Sequence, residues 1–165
     1  MMALDKSQAE QLDITRERVL AALAPVFGPL VEKVKAMEPV SMKMLPERRG
    51  LYVLSEDASY IYVGITGNLR QRIKGHRYGG RSSATFAIKL AREVTDRPAT
   101  YNSTGGLTEL LGQAEFVAAF RAAKMRIRKM DIRFLDDIND DDVLAILEVY
   151  ISRALGAPYN DFKTH

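Results

Sequence analysis

Arg72, His76 and Glu148, turned toward the apolar side of their helices beside tyrosine-bearing strands, are placed where they could carry chemistry. Phenols and imidazoles pass protons, a guanidinium grips oxyanions with a planar fork of donors, and a carboxylate holds a hard cation. Two of these residues sit where charge is costly. Stepped at about 100° per residue, Leu69, Arg72, Ile73 and His76 fall on one stripe of a helix, while Arg70, Gln71 and Lys74 point outward. On a later helix Leu144, Leu147, Glu148, Ile151 and Leu155 share a stripe in the same way. A charge on the apolar side of a helix is expensive to desolvate unless an opposite charge meets it. A ligand could supply that partner. So could the protein itself, pairing Arg72 with a core carboxylate or Glu148 with Arg72 or Arg153.

The elements that position these residues begin with two β-rich runs. Leu51 and Val53 alternate with Tyr52 and Leu54, a polar break spans Ser55 to Ser59, and Tyr60, Tyr62 and Gly64 then alternate with Ile61, Val63 and Ile65. This pattern predicts an antiparallel hairpin. A register with Leu54 opposite Tyr60 would set Tyr52 opposite Tyr62. Thr66 or Asn68 can cap the following helix, which runs to about His76. Met130, Ile132 and Phe134 alternate with Asp131 and Arg133 as a third strand that could reach back to Met125. Asn139 or Asp140 caps the helix that carries Glu148.

Between these elements, residues 77–83 read as a loop. Ser83 can cap a helix to about Val94, with Ala87, Leu90, Ala91 and Val94 on its apolar face. An exposed loop follows from Thr100 to Gly106. A helix from Leu107 to about Lys124 would turn Leu110, Leu111, Ala114, Val117 and Ala118 inward. At the N-terminal side, Ser7 to Ala24 predicts an amphipathic helix with Leu12, Val19, Leu20 and Leu23 at helical spacing. Pro25 and Gly28-Pro29 are expected to interrupt it before a second short helix to Met37. The organisation expected is a helical extension over 1–46 and a main domain over 47–165, with a helical insertion around 78–125.

With 165 residues, 47% of them hydrophobic, the chain can bury a real core. Zero cysteines exclude a disulfide scaffold and a Cys-ligated zinc site. Only His76 and His165 are present, which excludes a multi-histidine metal cluster. No apolar stretch reaches membrane-spanning length and no secretory signal opens the sequence, so a cytoplasmic protein is expected. The net charge of +3 is modest, but its distribution is uneven. Arg70, Arg72, Lys74, Arg77, Arg81, Lys89 and Arg92 follow the hairpin, and Arg121, Lys124, Arg126, Arg128 and Lys129 form a second basic group. Asp137, Asn139, Asp141 and Glu148 have calcium-loop spacing, but Asp142 stands where that loop needs glycine.

The ordered set Gly50-Leu51-Tyr52, Tyr62-Val63-Gly64 and the helix beginning Asn68-Leu69-Arg70-Gln71-Arg72 resembles the GIY-YIG endonuclease family, with Leu51 a mild departure from isoleucine. The resemblance implies an α+β fold, a small three-stranded antiparallel sheet flanked by helices. It also implies a metal-dependent endonuclease that hydrolyses DNA phosphodiester bonds. In that family's pattern Tyr52 helps deprotonate or orient the attacking water, and Tyr62 bonds the water or the phosphate. Arg72 grips the phosphate, His76 orients a partner or shuttles a proton, and Glu148 holds the metal. Asn160 fixes local geometry. One inward carboxylate suits a single Mg²⁺ or Mn²⁺ with several waters. His76 and Asn160 match the restriction-enzyme branch. Duplex DNA is the partner implied, met by Arg70, Lys74, Arg77 and Arg81, with the loop 100–106 a further candidate contact. A homodimer is compatible with all of this. The competing expectation is a catalytically silent nucleic-acid-binding module on the same fold.

Overall fold

The computed structural model describes residues 6–98 and 106–160. Its centre is a three-stranded antiparallel sheet of β1 (Gly50–Glu56), β2 (Ser59–Thr66) and β3 (Asp131–Leu135), in the order β2-β1-β3. The hairpin turns on Asp57 and Ala58, both at positive φ, as a two-residue connection requires. The loop is therefore shorter than the polar break suggested.

The register differs from the expected one. Tyr52 lies opposite Gly64 and Leu54 opposite Tyr62, while Ser55 lies opposite Tyr60. Ile61 is thus an extra residue on β2, a bulge that breaks the alternation. Ile61 and Tyr62 consequently join one core, and Tyr60 turns to the other. The tyrosines 52 and 62 still share a face, but as diagonal rather than direct neighbours.

Helices cover both faces. α1 (Lys6–Ala36) and α6 (Asp141–Ala154) bury Phe27, Val31, Val34, Leu144, Leu147 and Ile151 against Leu51, Val53, Val63 and Leu135. On the other face lie α2 (Leu69–Tyr78), α3 (Thr85–Val94), the short α4 (Leu107–Leu110) and α5 (Ala114–Lys129). They close over Tyr52, Leu54 and Ile132 with Ile73, Phe86, Leu90, Phe116, Phe120 and Ile127. None of the helices is long and apolar enough to cross a membrane, among the described residues.

Several helix expectations are corrected. α1 runs unbroken through Pro25 and Pro29. Each interior proline costs roughly 3 kcal/mol, and burying Phe27, Val31 and Val34 returns about 1.5–3 kcal/mol each, so docking holds the helix together. Leu12 and Val19, expected inward, are exposed, because the first half of α1 has no sheet beneath it. Val94, the last residue of α3, is 78% exposed. The helix expected from Leu107 is split at Gly112, and the break resets the phase of α5. Phe116, Phe120, Ala123 and Ile127 point inward instead of Ala114 and Ala118. α5 also runs to Lys129, so the third strand does not reach back to Met125. The expected 100–106 loop lies, apart from Gly106, outside the described residues.

Candidate active site

The glycines of both tripeptides stand where no side chain fits. A Cβ on Gly64 would come within 2.5 Å of Tyr52 Cζ and overlap its hydroxyl, so the phenol of the central strand lies across the bare backbone of β2. A Cβ on Gly50 would strike the Leu135 carbonyl and lie 2.9 Å from Leu69 Cδ1, where β1, β3 and α2 converge. These glycines are required by close approach, not by backbone angle.

α2 begins on Asn68, whose side chain accepts from the Gln71 N–H at 2.9 Å. Leu69 and Ile73 are buried against the sheet, and that fixes the phase that carries Arg72 and His76 inward. His76 is fully buried, with Nε2 2.7 Å from the Tyr52 hydroxyl and Nδ1 without a hydrogen-bond partner. Burial, with Arg72 nearby, lowers the His76 pKa to about 3, so the imidazole is neutral. Arg72 is half-buried. Its Nε donates to the Tyr52 hydroxyl at 3.4 Å and its Nη2 to Thr85 Oγ1 at 3.1 Å. Burial works against its charge, but Tyr52 and Tyr62 outweigh it and the guanidinium pKa is raised. Burial raises the Tyr52 pKa strongly, more than the Arg72 charge lowers it, and Tyr62 is raised for the same first reason. Both phenols are protonated at neutral pH.

Glu148 reaches the same place from the other face of the sheet. α6 packs beside the edge strand β2, and the carboxylate lines a cleft of about 350 Å³ with Tyr62, Thr85, Phe86, Lys89, Tyr159 and Asn160. Among the described residues it forms no hydrogen bond or ion pair, so neither internal partner weighed from the sequence is used. Burial raises its pKa, offset in part by the Arg72 charge. A half-buried carboxylate without a protein partner is a fit site for a cation. No group of three or more His, Cys, Asp or Glu side chains forms among the described residues, so waters and substrate would complete the shell. The calcium-loop spacing leads nowhere: Asp137 pairs with Lys33 at 2.6 Å and Asp141 with Arg49 at 3.0 Å.

Asn160 engages its amide on the edge of the sheet. Its Oδ1 accepts from the Val63 N–H and its Nδ2 donates to the Val63 carbonyl, both at 2.8 Å. The pairing extends β2 by one side chain and seals the tail against the cleft. Of the basic residues expected to meet nucleic acid, Lys74 and Arg81 are exposed, with Arg81 bonded to Thr108 at 3.3 Å. Arg70 instead donates to the Leu45 carbonyl and to Glu47, and Arg77 to the Met130 carbonyl. In the second basic group, Arg126 pairs with Glu56 at 2.7 Å and Arg128 donates to the Arg77 carbonyl.

Thr85 and Phe86 escaped the sequence reading, and Lys89 entered it only as a member of the first basic group. Thr85 holds Arg72, Phe86 stacks on Tyr62 at 4.5 Å and 15°, and Lys89 reaches the Tyr159 carbonyl at 2.9 Å on the cleft wall. Phe86 carried a signal, as the one aromatic in a helix whose apolar face is otherwise aliphatic. A second cleft, about 390 Å³, is lined by Arg72 together with Thr66, Gly67, Asn68, Gln71, Ser82 and Ser83. A further cleft, about 420 Å³, lies away from this chemistry between α1 and α6.

A small antiparallel sheet flanked by helices, with paired phenols, an inward guanidinium and a carboxylate at its edge, makes this an α+β domain. Residues 49–101 match the model of the GIY-YIG catalytic domain. The match spans both tripeptides, α2 and α3. β3, α6 and Glu148 lie outside it and join it through β1–β3 pairing and through α6 on β2. No curated protein and no solved structure shows a significant match to the chain.

Proposed function

We propose that this protein is a metal-dependent endonuclease that hydrolyses phosphodiester bonds of duplex DNA. The observation that carries the reading is the convergence of Arg72, Tyr52 and Tyr62 with an unpartnered Glu148 carboxylate across the edge of β2. Among the described residues no ion pair accounts for these two charges, and a diester with a cation between them would.

Glu148 would hold one Mg²⁺ or Mn²⁺, which when bound supplies charge neutralisation at the leaving oxygen. Arg72 binds the non-bridging oxygens and stabilises the charge that builds on them, a role its planar fork suits better than an ammonium. Tyr52 orients the attacking water. Its oxygen already faces two nitrogens, Arg72 Nε and His76 Nε2, and N–H groups aimed at a phenol oxygen favour the phenolate against burial. The neutral His76 faces that oxygen through Nε2 and orients the phenol, and the burial that lowers its pKa to about 3 keeps it from taking the proton itself. Tyr62 bonds the water or the phosphate. Phe86 fixes its ring, and Asn160 holds the strand that carries it.

A plasmid-nicking assay in Mg²⁺ or Mn²⁺ against EDTA tests the reading. Cleavage is expected with metal only. Arg72→Ala should lose about 10²- to 10³-fold in rate while remaining folded. A folded Arg72→Ala protein that cuts like wild type would overturn the assignment. Duplex binding with no cutting in any metal would make the chain a silent binding module on the same fold.

A further inference from the structure

The first turn of α3 reaches two members of the site with consecutive residues. Ala84 precedes the helix without a side-chain cap, and the Thr85 hydroxyl is directed across to α2, where Oγ1 accepts from Arg72 Nη2 at 3.1 Å. Phe86 stacks on Tyr62 and meets His76 edge-on at 6.2 Å. The guanidinium is therefore held at both ends, Nε by Tyr52 and Nη2 by Thr85. Thr85 lines the cleft that contains Glu148 and Arg72 lines a second cleft, so their hydrogen bond links the walls of the two. We propose that Thr85 is a positioning residue that presets the Arg72 fork for the diester, on the nuclease reading given above.

The chemistry is specific to a hydroxyl. Arginine has no acceptor, so the Thr85 hydroxyl must accept through its oxygen. A long side chain with many rotamers is costly to order at the moment of reaction, and a bond made beforehand removes that cost from the barrier. Thr85 is exposed, so exchanging it does not disturb the core.

Thr85→Val keeps the shape and deletes the acceptor, and Thr85→Ser keeps the acceptor. Single-turnover cleavage should fall about 5- to 10-fold in Thr85→Val, the size of one exposed charge-assisted hydrogen bond. KM should change little, Thr85→Ser should recover the rate, and thermal stability should hold in both. In an Arg72→Lys background the Thr85→Val loss should vanish, because lysine does not form the fork. Equal losses in both backgrounds, or a wild-type rate in Thr85→Val, would overturn the proposal. A wild-type protein that never cuts would instead sink the nuclease reading. The Arg72 side-chain ¹⁵N resonances would then decide about Thr85: restricted guanidinium rotation in wild type that is freed in Thr85→Val supports it, and identical spectra refute it.

Discussion

At Tyr52, burial and charge pull in opposite directions. The ring is fully buried and its proton is held tightly, yet Arg72 and His76 both present nitrogens to its oxygen. That arrangement depends on Gly64 having no side chain. Gly64→Ala is expected to cost about 1–3 kcal/mol in chemical denaturation and to remove most cleavage, since the phenol must move. Unchanged activity would show that its position is not critical. Glu148 makes the opposite case, a carboxylate that the fold alone does not need. Glu148→Gln should abolish cleavage and remove the rise in melting temperature produced by Mg²⁺ or Mn²⁺, while the metal-free protein is as stable as wild type or more so. A metal-dependent stabilisation that survives the substitution would place the cation elsewhere.

Among the elements, α1 behaves as two halves. Phe27, Val31 and Val34 belong to the core shared with α6 and the sheet, whereas Leu12, Ile14 and Val19 are exposed. Phe27→Ala should therefore cost about 3–5 kcal/mol, and Leu12→Ala less than about 0.5 kcal/mol, both measured by denaturant titration. A large loss at Leu12 would mean that something covers the first half of the helix. The same physics explains why α5 presents a different face from the one its sequence suggests. The break at Gly112 restarts the helix, and burial of Phe116 and Phe120 then sets its rotation.

For the molecule as a whole, the site lies at the edge of β2, where the layer of α2 and α3 meets α6 coming round from the other face. Folding is thereby coupled to titration of the site. His76 has an ordinary pKa of 6.5 and is lowered to about 3 in the fold. Between those values the unfolded chain binds a proton that the folded one does not. The stability is fully present above about pH 6.5 and lost as pH falls toward 3, with a slope of up to about 1.4 kcal/mol per pH unit. Glu148 has the opposite sign, since its raised pKa costs stability as pH rises through the carboxylate range. Denaturation at pH 4.5 and 7, chosen as about the middle and the upper end of the His76 window, should show a smaller difference for His76→Gln than for wild type. An equal difference would mean that His76 is protonated in the native protein.

Spacing and residue type by themselves determined the hairpin, the α2 stripe that turns Arg72 and His76 inward, the Glu148 face of α6 and the third strand. All of these rest on local periodicity, 2 for strands and about 3.6 for helices, which survives in any fold that buries one face. Only the tertiary structure decided the rest. A bulge at Ile61 shifted the register, and docking carried α1 through two prolines. Arg70 and Arg77 were drawn onto backbone carbonyls far along the chain, and Thr85 and Phe86 were brought to Arg72 and Tyr62. Those outcomes depend on which surfaces meet across the sheet, and contacts between residues distant in the chain leave no period in it.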